Sequence, residues 1–218
     1  MNAKKLTVVA LVAIVALFFY LGMNAYKSRV QTAQDVQVQA EQSRLVRMHS
    51  PVFGPQNAPV TIVEFFDPAC ETCRAFYPIV KNLMAQYPNE VRLVIRYAPF
   101  HQGSDQVVKL LESAKTQGKY QAVLEAVLAA QPSWAAHGQP NIEIAFQVAE
   151  QAGLDLARAR QEMEKPGTQA QLQQEIEDLT ALQVTKTPTF FVNGRSLPSF
   201  GPDQLAALVN EEVVKTRK

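Results

Sequence analysis

Residues 64–76 read EFFDPACETCRAF and hold both cysteines of a 218-residue chain, Cys70 and Cys73. A pair at this spacing can clamp a metal, close a small disulfide, or cycle between dithiol and disulfide as a catalyst. The flanking residues bear on the choice. In front lies Val60 to Phe66 (VTIVEFF), a β-rich run that breaks at Asp67-Pro68. Behind lies a helix-compatible segment from about Cys70 to Tyr87, and then a second apolar run, Val91 to Tyr97 (VRLVIRY), ending just before Pro99. Strand, helix, strand is the unit of a parallel sheet, so the spacing predicts an α/β fold.

A cysteine placed after a strand and at the start of a helix has its sulfur near unpaired backbone N–H groups and the positive end of the helix dipole, which favour a thiolate. Cys73, one turn further in, is close enough to form a disulfide with it. Zinc is the chief chemical rival. A structural zinc site takes four N/S ligands, and the chain offers no further cysteine and only His49, His101 and His137, none with ligand spacing. A passive disulfide closing so short a loop would constrain the unfolded chain little.

From about Ser104 to Ala181 the composition turns to Ala, Gln, Glu, Leu and Lys, with apolar residues recurring at three and four and no strand pattern. Gly118, Gln131-Pro132, His137-Gly138-Gln139-Pro140, Gly153 and Pro166-Gly167 divide this stretch into short helices. β character returns at Thr187 to Val192, followed by the Asn193-Gly194 hairpin signal and a short strand at Arg195 to Leu197. A last amphipathic helix starts near Pro202-Asp203. The body therefore spans about residues 50–212, with an all-helical insertion at about 102–181.

With 47% hydrophobic residues the chain can build a core, and 21 basic against 20 acidic residues give no general attraction to nucleic acid. Leu6 to Met23 (LTVVALVAIVALFFYLGM) carries no charge and follows Lys4 and Lys5. As a helix it would cover about 27 Å, close to the hydrocarbon thickness of a bilayer. Residues 1–26 are thus expected to be a transmembrane signal-anchor. A cleaved signal peptide is the alternative, with only a poor cleavage site around Gly22 to Tyr26. The short leading tail favours a cytoplasmic N-terminus and a body outside, where a disulfide can persist. Residues 27–49 read as a polar helical stalk. Val30, Ala33 and Ala40 sit at heptad-like offsets that could pair two copies, although Gln37 interrupts the seam.

The motifs together resemble a family. Gly54-Pro55-Gln56-Asn57-Ala58-Pro59-Val60 leading into Glu64-Phe65-Phe66 and the CxxC is similar to the DsbA-like branch of the thioredoxin superfamily. So are Val184 to Gly194 (VTKTPTFFVNG) and, in the insertion, Leu128 to Trp134 (LAAQPSW). The resemblance covers roughly residues 50–212. It implies a thioredoxin-like fold with Cys70 as exposed nucleophile and Cys73 as buried resolving partner. It further implies that Pro188 is a cis-proline packed against the pair, and that Thr187 presents backbone groups to an extended substrate. Glu64 would be the acid beneath the cysteines, relaying a proton; the alternative is an edge-exposed strand residue.

One departure is Glu71-Thr72 between the cysteines, where related proteins more often carry Pro, Gly, His or Tyr. An acid beside Cys70 disfavours its thiolate, which should make the disulfide less oxidising. Other residues carry plainer readings: Asp67 as a helix cap or solvated side chain, with electrostatic tuning of the pair as the alternative; His101 as a surface loop residue, with a place at the active-site rim as the alternative; Trp134 as core of the insertion rather than a substrate platform; and Phe65, Phe66, Phe190 and Phe191 as mainly sheet core, one of them a candidate for an exposed apolar peptide-binding surface. The expectation is a membrane-anchored thiol–disulfide oxidoreductase without a cofactor or metal, acting on cysteine-containing secreted proteins and reset by a membrane or periplasmic redox partner. Donation, shuffling and reduction stay open. Two rival functions are a Cu(I)-relay module using the dithiol and a holdase chaperone on the same fold.

Overall fold

The computed structural model describes residues 3–40, 42–136 and 139–217, with the helix path alone given at 3–10, 13 and 31–40. His137 and Gly138 lie outside the described residues, as do the side chains of Ala33, Gln37 and Ala40 along the stalk seam.

The two apolar runs around the CxxC form strands with the boundaries read from the sequence, β2 (Val60–Phe66) and β3 (Val91–Tyr97). Between them runs helix α3 (Glu71–Gln86). β2 and β3 pair in parallel from Val60↔Val91 to Phe66↔Tyr97, and both are apolar almost throughout because helices cover both faces. β4 (Thr189–Val192) pairs antiparallel with the other edge of β2, with Phe65 opposite Thr189, and β5 (Arg195–Ser196) closes that side as a hairpin. A two-residue strand, β1 (Val52–Phe53), pairs antiparallel with β3, giving the order β1-β3-β2-β4-β5. The sequence reading missed β1, which is squeezed between Ser50-Pro51 and Gly54-Pro55 and is too short to show a period.

The insertion consists of helices throughout: α4 (Ser104–Thr116), α5 (Tyr120–Ala129), α6 (Gln131–Trp134), α7 (Ile142–Gln151), α8 (Leu156–Met163) and α9 (Pro166–Ala181). α10 (Pro202–Thr216) ends the fold. Strand alternation divides the core in two. Val60, Ile62, Phe66, Leu93, Ile95, Tyr97 and Phe190 meet α3, α10 and α4 to α8, where Trp134 is fully buried. Val63, Phe65, Val94 and Phe191 face the other way, against Leu179, Leu182, Val184 and Leu45.

At the N-terminus, α1 (Ala3–Ala40) runs without a break from the apolar stretch into the stalk, and α2 (Gln42–Leu45) adds one further turn. The helix stops at Leu45 rather than near 48, because Leu45 is buried in the second core and Ser50 N–H bonds back to the Arg47 carbonyl. The apolar run Leu6 to Met23 lies partly outside the described residues; among those described, no helix is long and apolar enough to cross a membrane.

Beneath the second face lies a charged cluster. Arg92, Val94 and Arg96 share that face of β3, and Arg96 is fully buried. Its guanidinium donates to both Glu175 oxygens (3.1 and 2.9 Å), to Asp178 (2.8 Å) and to the Arg44 carbonyl. Arg47 donates to both Asp178 oxygens at 2.7 and 2.6 Å, and His49 lies 2.7 Å from Glu175. Burial opposes the charge on Asp178, but the hydrogen bonds from Arg47 and Arg96 outweigh it and hold its carboxyl below the usual range. A carboxylate with a lowered folded-state pKa stabilises the fold above its unfolded value and loses that contribution as the pH falls through the folded one. Substitution Arg96→Leu leaves Glu175 and Asp178 buried with fewer partners and should cost about 3–5 kcal/mol in urea unfolding. In the wild type the urea midpoint should hold steady above about pH 4 and fall below it. A loss under about 1 kcal/mol would show that the cluster is not a stabilising unit.

Candidate active site

Every part of the site issues from the same end of the sheet. β2 ends at Phe66, and the chain turns through Asp67-Pro68-Ala69 before Cys70 caps α3. Cys70 takes the place that serine or aspartate commonly fills: its Sγ accepts from the backbone N–H of Cys73 at 3.4 Å. Cys73 Sγ in turn accepts from Asp67 N–H at 3.5 Å. Across the sheet, β4 brings in the Thr187–Pro188 peptide bond, which is cis. The Thr187 carbonyl stands 3.4 Å from Cys70 Sγ, which donates to it as a thiol.

The two sulfurs differ sharply. Cys70 is lowered to about 5. The largest cause is its hydrogen bond with the Cys73 side chain; burial opposes, and the Thr187 side chain with the N–H groups of Cys73 and Thr72 adds to the lowering. Burial pushes the Cys73 thiol well above its ordinary value, helped by that same hydrogen bond and by the charges of Glu64 and Cys70. At neutral pH the pair holds one thiolate and one thiol. Cys70 is less open than a freely exposed nucleophile, at 6% exposure against 0% for Cys73, because the Thr187–Pro188 loop closes over it.

Glu64 shares a sheet face with Ile62 and Phe66 and is 1% exposed, so the structure places it under the cysteines and not on an edge. Burial first, and the charge of Cys70 second, push it up to about 8. Its Oε1 has no hydrogen-bond partner. Glu71 and Thr72 are exposed on the first turn of α3. The thiolate is stabilised in spite of Glu71, since the hydrogen bonds on Cys70 Sγ act at contact distance whereas an exposed carboxylate is screened by water.

Asp67 is neither the helix cap nor solvated. It is fully buried, and five donors converge on its carboxylate: Ala69 N–H and Ser104 Oγ on Oδ1, then Phe100 N–H, His101 N–H and His101 Nδ1 on Oδ2. It ties the turn after β2 to the turn after β3. Gln131 of α6 makes a second tie: its Nε2 donates to the Pro68 and Cys70 carbonyls (2.7 and 3.0 Å) and its Oε1 accepts from Arg74. Sequence distance hid this role, because Gln131 follows Cys70 by 61 residues and no periodicity links them. Beside Pro188 opens a cleft of about 550 Å³, walled by Thr189, Phe190, Pro198 and Phe200 and, from α1, by Tyr26 and Val30. Among the described residues no group of three or more His, Cys, Asp or Glu is arranged to hold a metal ion.

Comparison with known proteins agrees with this geometry. Residues 47–211 match a family described as Thioredoxin. A thioredoxin-like oxidoreductase from Silicibacter pomeroyi is 31% identical, with a TM-score of 0.67 over 80% of this chain and 96% of that one. The thiol-disulfide exchange protein alpha-DsbA2 from Wolbachia pipientis shares the fold at 17% identity, with a TM-score of 0.70 over 84% and 97%. Among curated proteins, Na(+)/H(+) antiporter NhaA 3 from Salinispora tropica is 32% identical over 160 residues, 72% of this chain but 23% of its own length. The chain spans about a quarter of the length of the curated relatives it matches. A buried cysteine thiol, a stabilised thiolate at a helix N-cap and a cis-proline facing it accord with these matches, which show that the chain belongs to the Thioredoxin family, among thioredoxin-like oxidoreductases.

Proposed function

We propose that the chain donates disulfides to cysteine-containing secreted proteins, working at the outer face of a bacterial cytoplasmic membrane to which α1 anchors it. The observation that carries the chemistry is the opposite treatment of the two sulfurs, one held as a thiolate and the other as a thiol. In the oxidised protein a client thiolate attacks Cys70 Sγ, and the electron pair of the broken S–S bond passes to Cys73. Glu64, which keeps its proton to about pH 8, is the group available to protonate that sulfur. A second client thiolate then attacks the client sulfur of the mixed disulfide and releases Cys70 as thiolate. The low pKa of Cys70 makes it a good leaving group, and stabilising the reduced form makes the disulfide more oxidising. That favours donation over shuffling and reverses the expectation drawn from Glu71.

The Thr187 backbone and the cleft beside Pro188 offer an extended client segment strand-like pairing and an apolar wall. Reoxidation then falls to a redox partner in the membrane or periplasm. Anchoring is supported by α1 itself, where Leu11, Val12, Leu17, Phe18 and Tyr20 are all more than half exposed and lie all round the helix.

Four outcomes follow. The rate of iodoacetamide alkylation of the reduced protein should rise with pH to half its maximum near pH 5, all of it at Cys70 by peptide mass mapping, with Cys73 spared up to about pH 9. Cys73→Ala, loaded beforehand at Cys70 as the disulfide with glutathione, should exchange glutathione for a reduced secreted client and accumulate the mixed disulfide, while Cys70→Ala carried through the same loading forms none. The potential should lie near the oxidising end, about −120 mV; a value of about −200 mV or lower would turn the reading toward shuffling or reduction. Finally, the full chain should stay with membranes after carbonate extraction, and a chain beginning at Lys27 should not; release of both would remove the anchor.

A further inference from the structure

Among the described residues His101 is the one imidazole at the site, and nothing in the thiol chemistry above uses it. It follows β3 in a turn whose shape is fixed: Gly103 has φ +80°, and a Cβ there would meet the Ile142 side chain at 2.3 Å. The ring is partly open, its side chain 37% exposed, yet its direction is set, because Nδ1 lies 2.7 Å from Asp67 Oδ2. A carboxylate only accepts, so Nδ1 carries a hydrogen and Nε2 is the nitrogen left to gain or lose a proton. Asp67 also holds both cysteines: its N–H reaches Cys73 Sγ at 3.5 Å and its carbonyl accepts Cys70 N–H at 3.1 Å. One buried residue thus joins the imidazole rigidly to the redox pair.

The charged groups that act on His101 are Asp67, Cys70 and Glu71. Burial opposes charge on the ring, but these three anions outweigh it and raise its affinity for a proton. Two of them keep their place in both redox states. Cys70 does not: it is a thiolate when reduced and a neutral sulfur when bonded to Cys73.

We propose that His101, oriented by Asp67, is the redox-linked proton carrier of this site, taking up a proton at Nε2 when the Cys70–Cys73 disulfide is reduced and releasing it when the disulfide re-forms. The inference deepens the reading of the pair as redox-active and rests on it. With a thiol reductant such as glutathione, one disulfide and two thiols give the Cys70 thiolate, the Cys73 thiol, one glutathione disulfide and one proton. In the wild type His101 keeps part of that proton on the protein. His101 acts through the charge of Cys70, as a positioning residue for protons rather than a group that touches the exchanging sulfurs. Functionally, donation of a disulfide would draw a proton into the site and reoxidation would expel it, so local acidity and redox state would be coupled.

The test is the equilibrium constant with glutathione for the full chain in detergent, measured from about pH 6 to 7.5 for wild type and for His101→Gln, which retains a donor for Asp67. Glu64 also senses the Cys70 charge but is present in both proteins, so the difference isolates His101. The constant should climb about threefold less per pH unit in the wild type, the change produced when about half a proton is retained on His101. Equal slopes would overturn the proposal while leaving the redox reading intact; absence of any disulfide equilibrium would overturn the redox reading itself. A second measurement needs no variant to work through. NMR titration of ¹³C-histidine-labelled wild type, with the His101 signal identified by its loss in His101→Gln, should give a higher pKa in the reduced than in the oxidised protein, and identical values would also refute the proposal.

Discussion

The position of β2 between β3 and β4 is the constraint on which the site depends. Parallel pairing with β3 makes both strands end together at Phe66 and Tyr97, and antiparallel pairing with β4 makes that strand begin there, at Thr189 opposite Phe65. Three loops therefore meet at one edge: Asp67 to Cys70 after β2, Ala98 to Ser104 after β3, and Thr187-Pro188 before β4. Crevices at the carboxyl ends of parallel strands are where α/β folds gather their chemistry. Here the third loop arrives from a strand running the other way, and it lands 3.4 Å from Cys70 Sγ.

Electrostatics at that edge is made from small parts. The α3 N-terminus supplies N–H groups and its dipole, the Cys73 side chain supplies the largest single effect on Cys70, and burial works against ionisation of both sulfurs but suppresses that of Cys73 far more strongly. Asp67 and Gln131 add no charge to the sulfurs directly. They keep the turn from moving, one by collecting five donors from two segments and the other by bracing the turn against the helical insertion. The insertion is thus tied into the active-site turn as well as packed around it.

Behind the sheet, Arg96 and its two carboxylates do comparable work for the opposite face. They fasten α9 and the segment from Arg44 to His49 onto β3, so the chain leaving α1 is fixed to the body before the first strand begins. The pattern VRLVIRY, with arginines at 92 and 96 on one face, carried a trace of this. An apolar run broken by two like charges in step implies that their face meets acid, but which acids could not be read.

How much was legible follows from the range of each interaction. Strand limits at Val60–Phe66 and Val91–Tyr97, the helix beginning after Cys70, the helical character of 104–181 and the hairpin at Asn193-Gly194 are local properties of period and turn chemistry, and the sequence by itself determined them. Which cysteine stands at the helix start was also local, since the break at Asp67-Pro68 puts Cys70 there. Tertiary structure alone decided how far Cys70 is ionised in spite of Glu71, that Asp67 is buried rather than solvated, that His101 is turned to the site, and that Gln131, Glu175 and Asp178 hold distant segments. Each of these depends on burial and on partners tens of residues away. A residue's neighbours along the chain set which conformation its backbone favours, whereas its charge state is set by whatever the folded chain brings within a few ångströms.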